Sequence, residues 1–134
     1  MVDYPQATFT PRKGGNFEAA HLYAAGEEVK AGRSVQSLTA SGAITLNSGL
    51  VILNHASVVI AATLDAPTAG DELIIVDGSA SGTAAHTVTL PSGVTWDGTN
   101  RVATLNAPGE ALHVIALSAT RFYIIQNNGS VAFS

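Results

Sequence analysis

The pattern of apolar and polar positions predicts short β-strands along most of this chain, and the clearest pair forms a hairpin. Its first strand, Glu110 to Leu117, is apolar on both faces, and its second, Arg121 to Gln126, alternates, with Phe122 and Ile124 on one face. Ser118 to Thr120 form the turn. A strand that is apolar on both faces has to be covered on both faces. We therefore expect the hairpin to contact its own core on one side and a neighbouring subunit on the other.

Similar runs of four to eight residues, separated by Gly, Pro, Asn and Asp, continue from residue 26 to the end of the chain. Examples are Gly49 to Asn54, Glu72 to Val76 and the alternating His86 to Leu90. Short strands with turn signals every 8–12 residues or so are typical of a sandwich or barrel. We predict an all-β fold, an antiparallel β-sandwich or barrel-like domain over residues 26–134. No helical stretch separates the strands, and no internal repeat predicts a solenoid.

Residues 1–25 have a different character, because Pro5, Pro11 and the Gly14-Gly15 pair interrupt any periodicity. The one helix-like piece is Phe17 to Ala25, which is marginal in length without packing support. We predict that residues 1–25 form an extended N-terminal arm with at most one short helix. An arm of this kind would become ordered by whatever it touches.

The composition indicates that much of the surface is poor in charge. Hydrophobic residues make up 46% of the 134 residues and charged residues only 12%, against roughly 25% charged in an average soluble domain. A surface of this kind is either rich in Ser, Thr, Asn and Gly or buried against other chains. The length is sufficient for one domain with its own core.

The balance of charge argues against a nucleic-acid partner, since the chain has ten acids against six bases and a net charge of −4. The bases are uneven: Arg12, Lys13, Lys30 and Arg33 all lie in the first quarter. Two interpretations fit this placement. The basic segment docks against an acidic surface, or its four side chains are simply solvated.

Several classes of protein are excluded by what the sequence lacks. There is no cysteine, so no disulfide framework or thiolate site is expected. The first ten residues do not resemble a signal peptide, and no apolar run approaches the ~18 residues of a membrane span. We expect a soluble protein made in the cytoplasm, with no membrane partner.

The candidate chemistry is sparse. The four histidines, His21, His55, His86 and His113, show no metal-ligand spacing, and a core or interface role fits them better; the alternative is a histidine on a symmetry axis, as an ion site or pH sensor. Most Asp residues lie in predicted turns, where their side chains bond the backbone. No nucleotide-binding or nucleophile motif occurs. We therefore predict no catalytic residue, no metal, no cofactor and no enzymatic activity.

Trp96 has two interpretations. With the loops Asp77 to Thr83 and Asp97 to Asn100, it would be a platform for a sugar ring. Carbohydrate sites commonly use more than one aromatic residue, and aromatics make up only 6% of this chain. An anchor for a hairpin or an interface is therefore the favoured interpretation.

Residues 42–134 resemble the β-rich module of small virion proteins from tailed bacteriophages. The resemblance is carried by GAITLNSG (residues 42–49), by the segment from Ala62 to Asn100, and by the closing APGEALHVIALSATRFYIIQNNGSVAFS. The stretch Gly26 to Val35 is also similar to segments of phage head decoration proteins. The resemblance implies a capsid decoration (cement) protein or a head or tail fibre module, often trimeric. It implies no catalytic residue.

These considerations converge on a structural virion protein that decorates the capsid surface and stabilises the head. We expect a homotrimer that binds the major capsid protein; the alternative is a fibre or adhesion module that binds host glycans or another virion protein. The predicted capsid-binding residues belong to the arm: Arg12, Lys13, Phe17 and Tyr23. The predicted oligomer interface belongs to the hairpin: Leu112, Val114, Phe122, Tyr123 and Ile125.

Overall fold

The structure is a computed structural model of the chain, and it describes residues 32–134. Residues 33–134 form one compact unit. The predicted arm, with Arg12, Lys13, Phe17 and Tyr23, lies outside the described residues, as does the short helix predicted from Phe17 to Ala25. The arm and the domain boundary at residue 26 therefore stay predictions.

Within the described residues the fold is all-β, with no helix, as predicted. The ten strands are β1 (Val35–Leu38), β2 (Gly42–Ile44), β3 (Gly49–Leu53), β4 (Ala61–Leu64), β5 (Glu72–Asp77), β6 (His86–Thr89), β7 (Val102–Leu105), β8 (Ala111–Ser118), β9 (Arg121–Asn128) and β10 (Ala132–Phe133). They form two five-stranded sheets that pack as a sandwich. Sheet A has the order β1-β3-β5-β8-β9, and sheet B has the order β10-β7-β6-β4-β2.

The strand pairing corrects the prediction of an antiparallel sandwich, because both sheets are mixed. The pairs β1–β3, β3–β5, β2–β4 and β4–β6 are parallel. The cause is the path of the chain, which alternates between the two sheets from β1 to β6, so that each return to a sheet runs in the same direction. The remaining pairs, made by β7 to β10, are antiparallel.

The first six strands therefore follow three turns of a coil, although no repeat is visible in the sequence. The turns are unequal in length. Val35 pairs with Leu50, 15 positions later, whereas Leu50 pairs with Ile74, 24 positions later. Loops of different length between the strands hide the repeat, since a period can be recognised only when successive units match in length.

The core lies between the sheets and is built from alternate residues of each strand. The burial patterns of β3, β5 and β8 alternate strictly between buried and half-buried positions up to Ala116, as the period of two requires. Trp96 and Phe122 are among the largest fully buried side chains, and their ring centroids lie 5.1 Å apart. The loop that carries Trp96 is joined to sheet A at the end of the predicted hairpin, where the Phe122 amide donates to the Thr95 carbonyl at 2.9 Å.

Candidate interaction surface

The outward side of sheet A is an unusually apolar surface for a sheet that no other layer of the described chain covers. We call it the aliphatic face. It exists because the strands β3 and β5 carry apolar residues at consecutive positions, LVIL and LIIV, so both sides of the sheet are apolar. The outward members are half-buried by their neighbours or exposed: Val35, Leu50, Ile52, Ile74, Val76, Ala111, Ile115 and Tyr123.

The strand register places these residues in continuous rows across the sheet. One row runs from Val35 through Leu50 and Ile74 to His113 and Gln126. Neighbours in a row stand close enough to pack side by side, and such cross-strand pairs stabilise the sheet itself. The tops of the side chains are left uncovered, and a contiguous apolar patch of this kind is typical of an interaction surface.

The outward side of sheet B has a different chemistry. Its positions are occupied by small and hydroxyl-bearing residues, with one valine: Ala43, Ala61, Thr63, Thr87, Thr89, Val102, Thr104 and Ala132. Threonine combines the β-branching that favours strands with a hydroxyl group that water can solvate. Sheet B therefore presents an ordinary solvated face.

Three polar side chains lie close together at the aliphatic face. The imidazole Nε2 of His113 and the carboxylate Oε2 of Glu72 lie 2.5 Å apart on neighbouring strands. The guanidinium of Arg33 lies 4.0 Å from the same carboxylate oxygen, with its own side chain half exposed. The Glu72 carboxylate therefore has a hydrogen-bonding partner and a nearby positive charge within the chain.

The face is also uneven in relief. A depression of about 410 Å³ is lined by Ile74, Ala111, His113, Gln126 and Asn128. It follows a shift of register between β8 and β9 at His113 and Val114, where β9 has an additional residue. A bulge of this type bends the strand and increases its twist, which opens the surface beside it.

The predicted interface residues of the hairpin divide between two environments. Leu112, Val114 and Phe122 lie in the chain's own core, where no partner can reach them. The prediction that these three residues form the oligomer interface is therefore wrong. Tyr123 and Ile125 are 55% and 47% exposed. The prediction of an oligomer interface therefore remains for Tyr123 and Ile125 alone, and it is still a prediction.

The structure corrects the interpretation of Trp96 as a sugar platform. The side chain is 0% exposed and packs against Phe122, so it is the anchor that the favoured interpretation describes. A sugar ring stacks on an exposed aromatic face, and this one is covered on all sides.

The loop Asp97 to Asn100 is organised by its own aspartate. The backbone amide of Asn100 donates to Asp97 Oδ1 at 2.7 Å, the Thr99 amide donates to the same oxygen at 2.9 Å, and the Asn100 side chain donates to Oδ2. The Asn100 backbone bond is the largest of the causes that lower the pKa of Asp97 below its ordinary value. This carboxylate is therefore a turn residue, as predicted for the acids in turns.

Asp77 also bonds the backbone of its own turn, but unlike Asp97 it is buried. It ends β5, is only 2% exposed and accepts hydrogen bonds at Oδ1 from the Ser79 amide and hydroxyl, at 3.0 and 2.6 Å. The fully buried His86 points Nε2 towards the same oxygen at 3.9 Å. Its Nδ1 accepts the Ile60 amide proton at 3.0 Å, so the ring's proton lies on Nε2.

Of the other histidines, His55 holds a local turn, with its Nδ1 accepting from the amides of Ser57 and Val58; His21 lies outside the described residues. The cluster of Asp77, Ser79 and His86 does not bring the serine hydroxyl to the histidine, which nucleophilic activation requires. Within residues 32–134 no group of three or more ligand side chains is arranged to hold a metal ion. The described part of the chain has no helix that is long and apolar enough to cross a membrane.

Comparison with known proteins gives no match, either to a protein-family model or to a curated protein.

The apolar pattern of the sequence indicates the hairpin but not most of the aliphatic face. Leu50, Ile52, Ile74 and Val76 were visible as runs of consecutive apolar residues, a signal for burial on both sides. Periodicity alone does not say which of two apolar sides faces the partner sheet. That assignment needs the register, which only the fold supplies.

Proposed function

We propose that this protein is a structural component of a tailed-phage virion, a capsid decoration protein that assembles as a homotrimer on the surface of the head. The proposal is supported by the resemblance of residues 42–134 to such modules. The observation that carries it is the aliphatic face, a charge-poor sheet surface that a free, fully solvated domain would not favour. Interfaces between identical subunits are more apolar than the rest of a protein surface, and charged residues are depleted at their core.

The proposed mechanism is purely one of binding. The β-sandwich forms the oligomer, and the basic arm, with Arg12, Lys13, Phe17 and Tyr23, reaches the major capsid protein. Each bound oligomer would add buried area across the boundaries between capsid subunits. The shell would then resist internal pressure because more contacts must break before it opens. No catalytic step, metal or cofactor takes part in the proposal.

The experiment that tests the proposal is a binding assay on empty phage heads that lack the protein. Full-length chain is mixed with the heads, and the bound fraction is measured by co-sedimentation. The double variant Arg12→Glu, Lys13→Glu reverses both arm charges and leaves the described sandwich unaltered; Lys30→Glu is the control, a base outside the predicted arm.

We expect the wild type and Lys30→Glu to co-sediment and the double variant to stay in the supernatant. Equal binding by the double variant would contradict the role of the arm. If the wild type binds no head, the capsid proposal fails. A fibre module, the alternative, would instead bind another virion protein or a host cell while leaving empty heads undecorated.

A further inference from the structure

We infer that the aliphatic face is covered by a second copy of this chain, and not by the capsid protein. The inference rests on the proposed function, because it names the partner for a surface that the proposal assigns to assembly. It starts from the asymmetry between the two sheets. The same chain builds sheet B with an outward face of threonine and alanine, and sheet A with outward leucine, isoleucine and valine.

Strand formation alone does not require this difference. Threonine is β-branched and satisfies the preferences of a strand as well as isoleucine does on an exposed surface. At the centre of sheet B the outward residue is Thr87, and at the centre of sheet A it is Ile74. Sheet A therefore carries apolar side chains that a covering partner would make favourable, since no other part of residues 32–134 covers them.

The size of the aliphatic face suits a self-associating interface. Five strands spaced by about 4.8 Å, with about six residues of ~3.3 Å each, span roughly 20 by 20 Å. Two such faces in contact remove about 800 Å² of flat area, and more when the relief of the side chains is included. Specific interfaces begin at about 1,000 Å² in total, so one pair of faces is close to sufficient.

The charge of the aliphatic face permits contact between identical copies. Like charges opposite one another would repel, and the one carboxylate on this face, Glu72, is hydrogen-bonded to His113 and lies 4.0 Å from the Arg33 guanidinium within the chain. The remaining described arginines are directed elsewhere. Arg101 donates to the carbonyls of Leu90 and Pro91, and Arg121 donates to the Asp97 carbonyl at 3.4 Å. The face thus lacks the basic cluster that a strongly acidic partner requires.

The relief of the face supports the same occupant. Tyr123 projects from β9, and the depression lined by Ile74 and His113 lies on the same side of the sheet. A surface that meets another copy of itself needs both a projection and a hollow, because each copy must supply both. In the proposed trimer, the projection of each copy would enter the hollow of the next copy, so that the three contacts close a ring.

The test compares three full-length variants with the wild type by light scattering after size exclusion and by sedimentation over a range of concentrations. Ile74→Lys places a charge at the centre of the aliphatic face, and Ile74→Thr gives sheet A the chemistry of sheet B. Thr87→Lys is the matched control, at the outward centre of sheet B. Circular dichroism establishes that each variant is folded.

We expect the wild type and Thr87→Lys to be oligomers. The dissociation constant of the Ile74→Lys oligomer should be at least about 30-fold higher, which corresponds to the ~2 kcal/mol typical of a residue central to an interface. Ile74→Thr should weaken the oligomer while keeping the fold. If the lysine variant unfolds, the threonine variant still tests whether the aliphatic face forms the contact between copies. A folded Ile74→Thr oligomer as tight as the wild type would overturn the inference.

A wild-type chain that is monomeric at every concentration would also overturn the inference. If that monomer still bound empty heads, and Ile74→Lys abolished the binding, the covering partner would be the capsid protein and the proposed function would stand. If the chain formed oligomers through the aliphatic face but never bound heads, the inference would stand and the capsid role would fail.

Discussion

Replacing Trp96 by alanine should cause a large loss of stability, because its side chain is 0% exposed and packs against Phe122 with ring centroids 5.1 Å apart. Truncating a fully buried tryptophan removes its transfer free energy and leaves a cavity, with a combined cost of about 3–5 kcal/mol. Its indole Nε1 has no hydrogen-bond partner within the described part of the chain, so the loss is one of packing alone. Since small domains are stable by roughly 5–15 kcal/mol, this would be a large share of the total.

The assay is urea unfolding followed by far-ultraviolet circular dichroism, because the substitution removes the chain's one tryptophan. Trp96→Phe is the control: it keeps an aromatic ring beside Phe122 and removes the unpartnered N–H group, so its loss should be clearly smaller than that of alanine. In the wild type, acrylamide should quench the Trp96 fluorescence poorly. A loss of less than about 1 kcal/mol in Trp96→Ala, or ready quenching in the wild type, would refute the assignment of this residue to the core.

Three further substitutions, one of them with a control variant, test other parts of the fold. Gly49→Ala should destabilise the fold by more than about 1 kcal/mol in urea unfolding, because φ of Gly49 is +135° and an added Cβ would lie 2.3 Å from the Ser34 carbonyl oxygen. The control is Gly42→Ala: Gly42 begins a strand and has open space around it, so this substitution should change stability by no more than ~0.5 kcal/mol. Asp97→Asn should reduce thermal stability most at neutral pH. A carboxylate with a lowered pKa stabilises the fold above its ordinary pKa and loses this effect as pH falls through the lowered value. The difference in Tm from the wild type should therefore shrink between about pH 6 and pH 2, and a constant difference would contradict this reasoning. His86→Leu should cost about 1–3 kcal/mol in chemical denaturation, since the buried Ile60 amide loses its acceptor, and a neutral result would show that this bond contributes little.

The sequence predicted most of the strands because their alternation is local. The hairpin from Glu110 to Gln126 appears as β8 and β9, and His86, Val88 and Leu90 share a buried side as the period of two requires. Turn signals such as Asp97-Gly98 also lie where the chain bends. These features depend only on residues close to each other along the chain.

The parallel pairing was not predictable in the same way, because it depends on contacts between distant residues. Val51 pairs with Gln36 on one side and with Ile75 on the other, and both partners are separated from it by a strand of the opposite sheet. Nothing in a local pattern distinguishes such a strand from one that forms a hairpin with its neighbour. The unequal coil lengths then remove the repeat that would have indicated the path.

The candidate site was predictable only in part for a related reason. Consecutive apolar residues in β5 indicate that both sides of the strand are covered, but not by what. The hairpin residues chosen for the interface included Leu112 and Val114, which proved to be core, while Ile74 and Ile52 on neighbouring strands face outwards. The difference is one of register, since moving by one residue exchanges the two sides of a strand.

The most direct test of the account is the mass of the full-length wild-type chain in solution, measured by sedimentation at several concentrations. The account predicts an oligomer whose mass is a whole multiple of 13.7 kDa, three times that value for the proposed trimer. A folded chain that sediments at 13.7 kDa at every concentration would contradict it, because the aliphatic face would then be stable without a second copy to cover it.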